Sequence, residues 1–183
     1  MNFQVVPVWK QVTPALEAEL VAFWERNRAL GDAARAQERA AQAVCIGRDD
    51  HGAVCAVGTA VVRVLPRLRQ PAYYYRQFFD ASQRGQRQTV PFMARVREVL
   101  QAYNASLPQP ESLGLLVELE SRLLASRYTR ASEAGFHFIG YSPRGLPLFA
   151  SWFQDATLLP PAPIRTRNAA PQHHGQSNTG ITA

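Results

Sequence analysis

Apolar and polar positions along this chain switch several times between a period of two and a helical period, and the switches divide it into elements. Phe3 to Val12 alternate loosely through Val5, Val6, Val8 and Trp9, which predicts a strand; Pro7 inside it places that strand at a sheet edge. Thr13-Pro14 is a helix start, and Leu16, Leu20, Phe23 and Trp24 then recur at helical spacing towards Leu30 and a stop at Gly31. Asp32 caps a second helix over the alanine-rich run that follows. Ala43 to Arg48 and Ala53 to Leu65 are predicted strands, joined as a hairpin by the turn Asp49-Asp50-His51-Gly52. The aromatic run after Pro71, Ala72-Tyr73-Tyr74-Tyr75-Arg76-Gln77-Phe78-Phe79, is β-prone.

The second half returns to the helical period. Thr89 to Ser106 carries Phe92, Val96, Val99, Leu100 and Tyr103 on one side, with Pro91 in its first turn. Leu113 to Glu120 is a strand, Leu123 to Ala134 a helix closed by Gly135, and 136–141 and 146–153 are two last strands around Ser142-Pro143-Arg144-Gly145. The predicted order is β-α-α-β-β-β-α-β-α-β-β. It describes an α/β protein with a mixed, mostly antiparallel twisted sheet and helices on both faces.

With 183 residues, 46% of them hydrophobic, the chain can build one core of ordinary size. Residues 1–157 are expected to form a single domain and 158–183 a disordered or extended tail, since the sequence from Pro160 is rich in proline and lacks periodicity. No stretch is apolar enough for a membrane span, and the first residues lack a signal-peptide layout. The expectation is a soluble cytoplasmic protein with Cys45 and Cys55 reduced and buried. Net charge is +6, and every basic residue except Lys10 is arginine, a skew that GC-rich coding explains. That charge permits an anionic partner. Nucleic acid is disfavoured, because the aromatics of 73–79 split between two strand faces. His51, His137 and the His173-His174 pair have no metal-ligand spacing to other residues, so no metal is expected.

Three stretches carry a family resemblance. Phe79-Asp80-Ala81-Ser82-Gln83-Arg84-Gly85-Gln86-Arg87-Gln88-Thr89, between a strand and a helix, resembles the acyl-CoA loop of the GNAT superfamily of acyl-CoA-dependent N-acetyltransferases. Only Gly85 keeps a family glycine; Arg87 and Thr89 occupy the other two such positions. Val117-Glu118-Leu119-Glu120-Ser121 with Leu124, Ala125 and Tyr128 is similar to the family's Val-x-x-x-Asn-x-x-Ala-x-x-x-Tyr, with Ser121 in place of asparagine, and Ala134-Gly135-Phe136 resembles the Gly-Phe after the last helix. The loop makes physical sense on its own: amides at a helix N-terminus, a glycine allowing close approach, and Arg84 and Arg87 nearby suit a diphosphate.

The resemblance implies acetyl-CoA as cosubstrate and direct transfer to a small-molecule or peptide amine. Phe78, Phe79, Arg84, Gly85, Gln86, Arg87, Gln88, Thr89 and Ser121 are then the cofactor-binding residues, and a backbone N–H near Phe79 serves the thioester oxygen. Glu118 and Glu120, two apart on one strand, are candidate bases; their mutual repulsion would raise one pKa into a useful range. Tyr128 is the candidate acid for the departing thiolate. A homodimer through the last strand is compatible with this layout, and the alternative function is a non-catalytic GNAT-like fold used for binding or interaction.

Overall fold

The computed structural model describes residues 3–154 and 156–163. The element order is β1 (Gln4–Pro7), α1 (Pro14–Arg26), α2 (Ala33–Ala40), β2 (Ala43–Arg48), β3 (Val54–Val64), β4 (Pro71–Phe79), α3 (Thr89–Ser106), β5 (Gly114–Glu118), α4 (Arg122–Arg127), β6 (Ser132–Glu133), β7 (Phe136–Tyr141) and β8 (Pro147–Trp152). All eight strands form one sheet, ordered β1-β2-β3-β4-β5-β8-β7-β6. Among the described residues its one parallel pair is β4 with β5, joined by the crossover through α3; the other neighbours run antiparallel. This is the mixed, mostly antiparallel sheet with helices on both faces that the sequence pattern predicts. No helix among the described residues is long and apolar enough to cross a membrane.

Strand alternation sorts the core into two layers. Tyr73 and Tyr75 of β4, with Leu115 of β5, pack under Phe92, Val96 and Leu100 of α3. On the opposite face Leu20, Phe23 and Trp24 of α1 and Ala36 and Ala40 of α2 cover Ile46, Val54 and Val57. The caps foreseen for these helices form: the Thr13 hydroxyl accepts from the Leu16 amide at 3.2 Å and the Asp32 carboxylate from the Ala34 amide at 2.9 Å. Gly58 lets α3 lie close to β3, since a Cβ there would sit 3.0 Å from both Phe92 and Val96.

One buried side chain sets where β5 begins. Asn104, near the end of α3, accepts from the amides of Glu111 (2.9 Å) and Ser112 (3.0 Å) and donates to the Ser112 carbonyl (3.0 Å). Gly114 then passes so close to β8 that an added Cβ would run into the Ser151 carbonyl oxygen. Together these fix the wall of the cleft described below.

Three details depart from the sequence expectation. The first strand ends at Pro7 rather than Val12, because Lys10 takes a positive φ of 61° and turns the chain towards α1. The helix expected over Leu123–Ala134 is only α4, six residues long. It buries no side chain completely, so nothing extends it, and Ala134 and Gly135, both at positive φ (51° and 77°), form a two-residue hairpin turn that pairs β6 with β7. Gly135 therefore closes a hairpin, not a helix. Beyond β8 the chain lies against the start of β4: Gln70 exchanges two hydrogen bonds with Leu159 (2.8 and 2.9 Å) and Arg69 meets Ala162. His173 and His174 lie outside the described residues.

Candidate active site

β4 is paired with β3 along nine consecutive positions, from Pro71 to Phe79, but with β5 along only three, Tyr73 to Tyr75 against Leu115 to Val117. Beyond Tyr75 the two parallel strands part. The bond from the Asp80 amide to the Cys55 carbonyl (3.0 Å) fixes the alternation, so that Gln77 and Phe79 turn their amides towards β5 where the ladder has ended. The gap is a cavity of about 270 Å³. Tyr75, Met93 and Phe149 line it from the α3 side and Arg76 and Glu118 from the other face, with Leu124 and Tyr128 of the α4 region closing one flank.

Of the residues singled out from sequence, Glu118, Glu120, Ser121, Tyr128 and Thr89 line this cavity. Tyr128 is the residue after α4, half-buried against the α3-side core. Ser121 is the N-cap of α4, its hydroxyl accepting from the Leu124 amide at 3.4 Å. Phe78, Phe79 and 84–88 are not part of the lining. Phe79 stacks on Phe92 (5.4 Å between ring centres) and Phe78 on Phe23 (5.7 Å), so their side chains belong to the two core layers. The Arg84 guanidinium lies 5.0 Å from the Phe78 ring, and its Nε donates to the Phe79 carbonyl.

The loop and helix end suit an anion in one respect that the sequence could not show. Gln88, the residue before α3, takes a helical backbone conformation, and no side chain caps α3. The first amides of an 18-residue helix are thus left without a side-chain acceptor. Gly85 (φ 82°) and Arg87 (φ 56°) both hold positive φ in the approach to that helix, and the space around Gly85 is open.

The two carboxylates are not a repelling pair. Arg144, in the β7–β8 turn, donates to Glu118 at 2.8 Å and to Glu120 at 2.5 Å, bridging them. The Tyr74 hydroxyl also donates to Glu118. Burial of Glu118 pushes its pKa up, but the hydrogen bonds from Arg144, Ser142 and Tyr74 outweigh it and hold the carboxyl at about 2. The expected rise of one glutamate into a useful range is therefore overturned for Glu118. Glu120 is the more accessible of the two, with its side chain 49% exposed against 7% for Glu118. Arg76 completes the group: it stacks 4.6 Å from the Tyr74 ring, donates to the Tyr74 hydroxyl at 3.3 Å and lies 3.7 Å from Glu120. Sequence reading missed Tyr74, Arg76 and Arg144. Nothing in their spacing marks them, since β4 and the β7–β8 turn, far apart in sequence, meet on either side of β5.

Cys45 and Cys55 are buried, and burial raises their thiols to about 12 and about 11, so neither is a nucleophile at neutral pH. Among the described residues no cluster of His, Cys, Asp or Glu could hold a metal ion.

Comparison with solved structures identifies the architecture. A GNAT-family acetyltransferase from Streptococcus pneumoniae superposes with a TM-score of 0.57 at 13% identity, covering 83% of this chain and 99% of that one. The ribosomal-protein-S5-alanine acetyltransferase of Vibrio fischeri gives 0.59 at 10% identity, with 86% and 96% covered. The fold is that of the GNAT acetyltransferases. A phosphinothricin acetyltransferase of the GNAT superfamily from Sinorhizobium meliloti, solved in complex with AcCoA, gives 0.52 at 15% identity over 94% of this chain and 98% of its own. No family model and no curated protein matches the chain. In this GNAT fold the parted strands are β4 and β5.

Proposed function

We propose that the chain transfers the acetyl group of acetyl-CoA directly to the nitrogen of a small-molecule or peptide amine. The observation that carries this reading is the parting of β4 from β5 after Tyr75, which leaves a slot flanked by main-chain amides and leading to an uncapped helix N-terminus. An extended thiol arm needs such a slot, and a diphosphate needs such a helix end.

In this reading the amides of Gly85, Gln86, Arg87, Gln88 and Thr89 take the diphosphate, with Arg84 and Arg87 adding charge. The Phe78–Phe79 segment contributes backbone, not side chains, to the thiol arm. The Gln77 and Phe79 amides are the donors aimed where charge grows on the thioester oxygen. The amine nitrogen bonds to the carbonyl carbon as the carbon–sulfur bond breaks. The nitrogen's proton passes to Glu120, directly or through water, and the Tyr128 hydroxyl gives its proton to the leaving sulfur. Glu118, held ionised by three donors, positions Tyr74 and Arg144 instead of acting as the base. Ser121 caps the short helix that carries Tyr128.

Two measurements test this. Acetyl-CoA at a hundred times its Kd should stabilise the protein by about 2.7 kcal/mol, seen as a rise in melting temperature. Release of free thiol should depend on added amine. Absence of the thermal shift would refute the reading outright. A shift without thiol release for any amine would leave the non-catalytic alternative.

A further inference from the structure

The face of the slot opposite α3 is crowded with arginines. Arg76 has its Nε buried without a hydrogen-bond partner, and its nearest carboxylate oxygen, on Glu120, lies 3.7 Å away, beyond a good hydrogen bond. Arg39, on α2, is half-buried, and its guanidinium makes no hydrogen bond or ion pair among the described residues. Its guanidinium is destabilised first by burial and then by the charges of Arg76 and Arg35, with only partial relief from Glu120 and Tyr74. The two carboxylates at hand are already engaged: Glu118 by Tyr74 and Arg144, Glu120 by Arg144. On this face the guanidinium groups of Arg39, Arg63, Arg76 and Arg144 outnumber the carboxylates of Glu118 and Glu120. Half-buried cations without partners are costly unless something else neutralises them.

We propose that the acceptor enters from the α2 side and carries an anionic group, a carboxylate or a phosphate, which Arg39 and Arg76 hold while its amine points at the slot between β4 and β5. This rests on the acetyl-transfer reading and adds the substrate class to it. The same charges repel polycations, and neutral amines lack the anchor. Arg76 offers its unpartnered Nε to the anion and Arg39 an unpaired guanidinium, donors of the kind that bind carboxylate or phosphate oxygens. Arg144 stays on the two glutamates and keeps them from repelling the incoming anion.

The test uses the full-length protein with and without acetyl-CoA. Melting temperature and thiol release are read against the twenty free amino acids and their matching amides, phosphoethanolamine against ethanolamine, and spermidine. The expected result is that anionic amines stabilise and are acetylated at least tenfold more efficiently than their neutral counterparts, the two pairs separating carboxylate from phosphate. Arg39→Gln should weaken the anionic acceptor at least tenfold in KM, leave the acetyl-CoA shift unchanged and be partly rescued by Arg39→Lys. Equal or better use of amides or spermidine would overturn the proposal, as would an unchanged preference in Arg39→Gln or no anion binding while the acetyl-CoA shift persists. Loss of the acetyl-CoA shift in the wild type would count against the transfer reading alone. An Arg39-dependent anion effect would then still stand.

Discussion

The two edges of β4 could hardly differ more. Against β3 the strand is paired without a break from Pro71 to Phe79; against β5 pairing stops after Tyr75. One edge is a rigid wall, backed by α3 through Gly58. The other is open, and its facing wall, β5, is held from outside: by Asn104 at its start and by β8 along its length. A slot of fixed width therefore comes from one strand bonded on a single side. The opposing wall is set by β8 and Asn104, and only side chains (Tyr74 to Glu118, Arg76 near Glu120) reach across the gap.

Disturbing the outer supports should cost most. Gly114→Ala drives a methyl group into the Ser151 carbonyl, and we expect a loss of about 3 kcal/mol or more in urea denaturation. An unchanged midpoint would mean β5 can move freely and the slot width is not set there. Asn104→Ala leaves three main-chain groups unpaired, two of them buried, and should cost about 2–3 kcal/mol by the same measurement. Met93→Trp fills the slot from α3. It should weaken acetyl-CoA at least tenfold by calorimetry, about 1.4 kcal/mol, while stability changes by about 1 kcal/mol or less. Full retention of affinity would place the cosubstrate elsewhere.

The smallest effect concerns the bridge of charges at the mouth. The Glu118 carboxyl titrates at about 2 in the folded protein against an ordinary value of 4.5. A lowered folded pKa stabilises above the ordinary value, and that contribution is lost as pH falls from about 4.5 towards 2. Glu118→Gln should flatten this stretch of the stability profile and leave the neutral-pH slope alone. A profile of unchanged steepness between pH 5 and about 2 would show that Arg144 and Tyr74 do not hold the carboxylate.

Much of the architecture was legible in the residue pattern because periodicity and caps agree with packing. The α3 span, Thr89–Ser106, reads directly from its apolar stripe, and β3 reads from a long, mostly apolar run. The pattern failed at α4, where Leu123, Leu124 and Ala125 look helical but find no deep pocket, Leu123 remaining 60% exposed. It failed again at the carboxylates. Two glutamates in one strand suggest repulsion, whereas Arg144, 24 residues beyond Glu120, binds them together. Local sequence says which side chains share a strand face, but not which distant turn will reach across it.

The amides of Gln77 and Phe79 face an open slot, and the proposed function has acetyl-CoA fill it. Residue-by-residue amide hydrogen exchange with and without acetyl-CoA tests it most directly. These two amides should exchange quickly in the free protein, unlike those of Tyr74 and Tyr75, and become protected on addition of acetyl-CoA. Slow exchange at Gln77 and Phe79 before any addition, or no change after saturation, would contradict it.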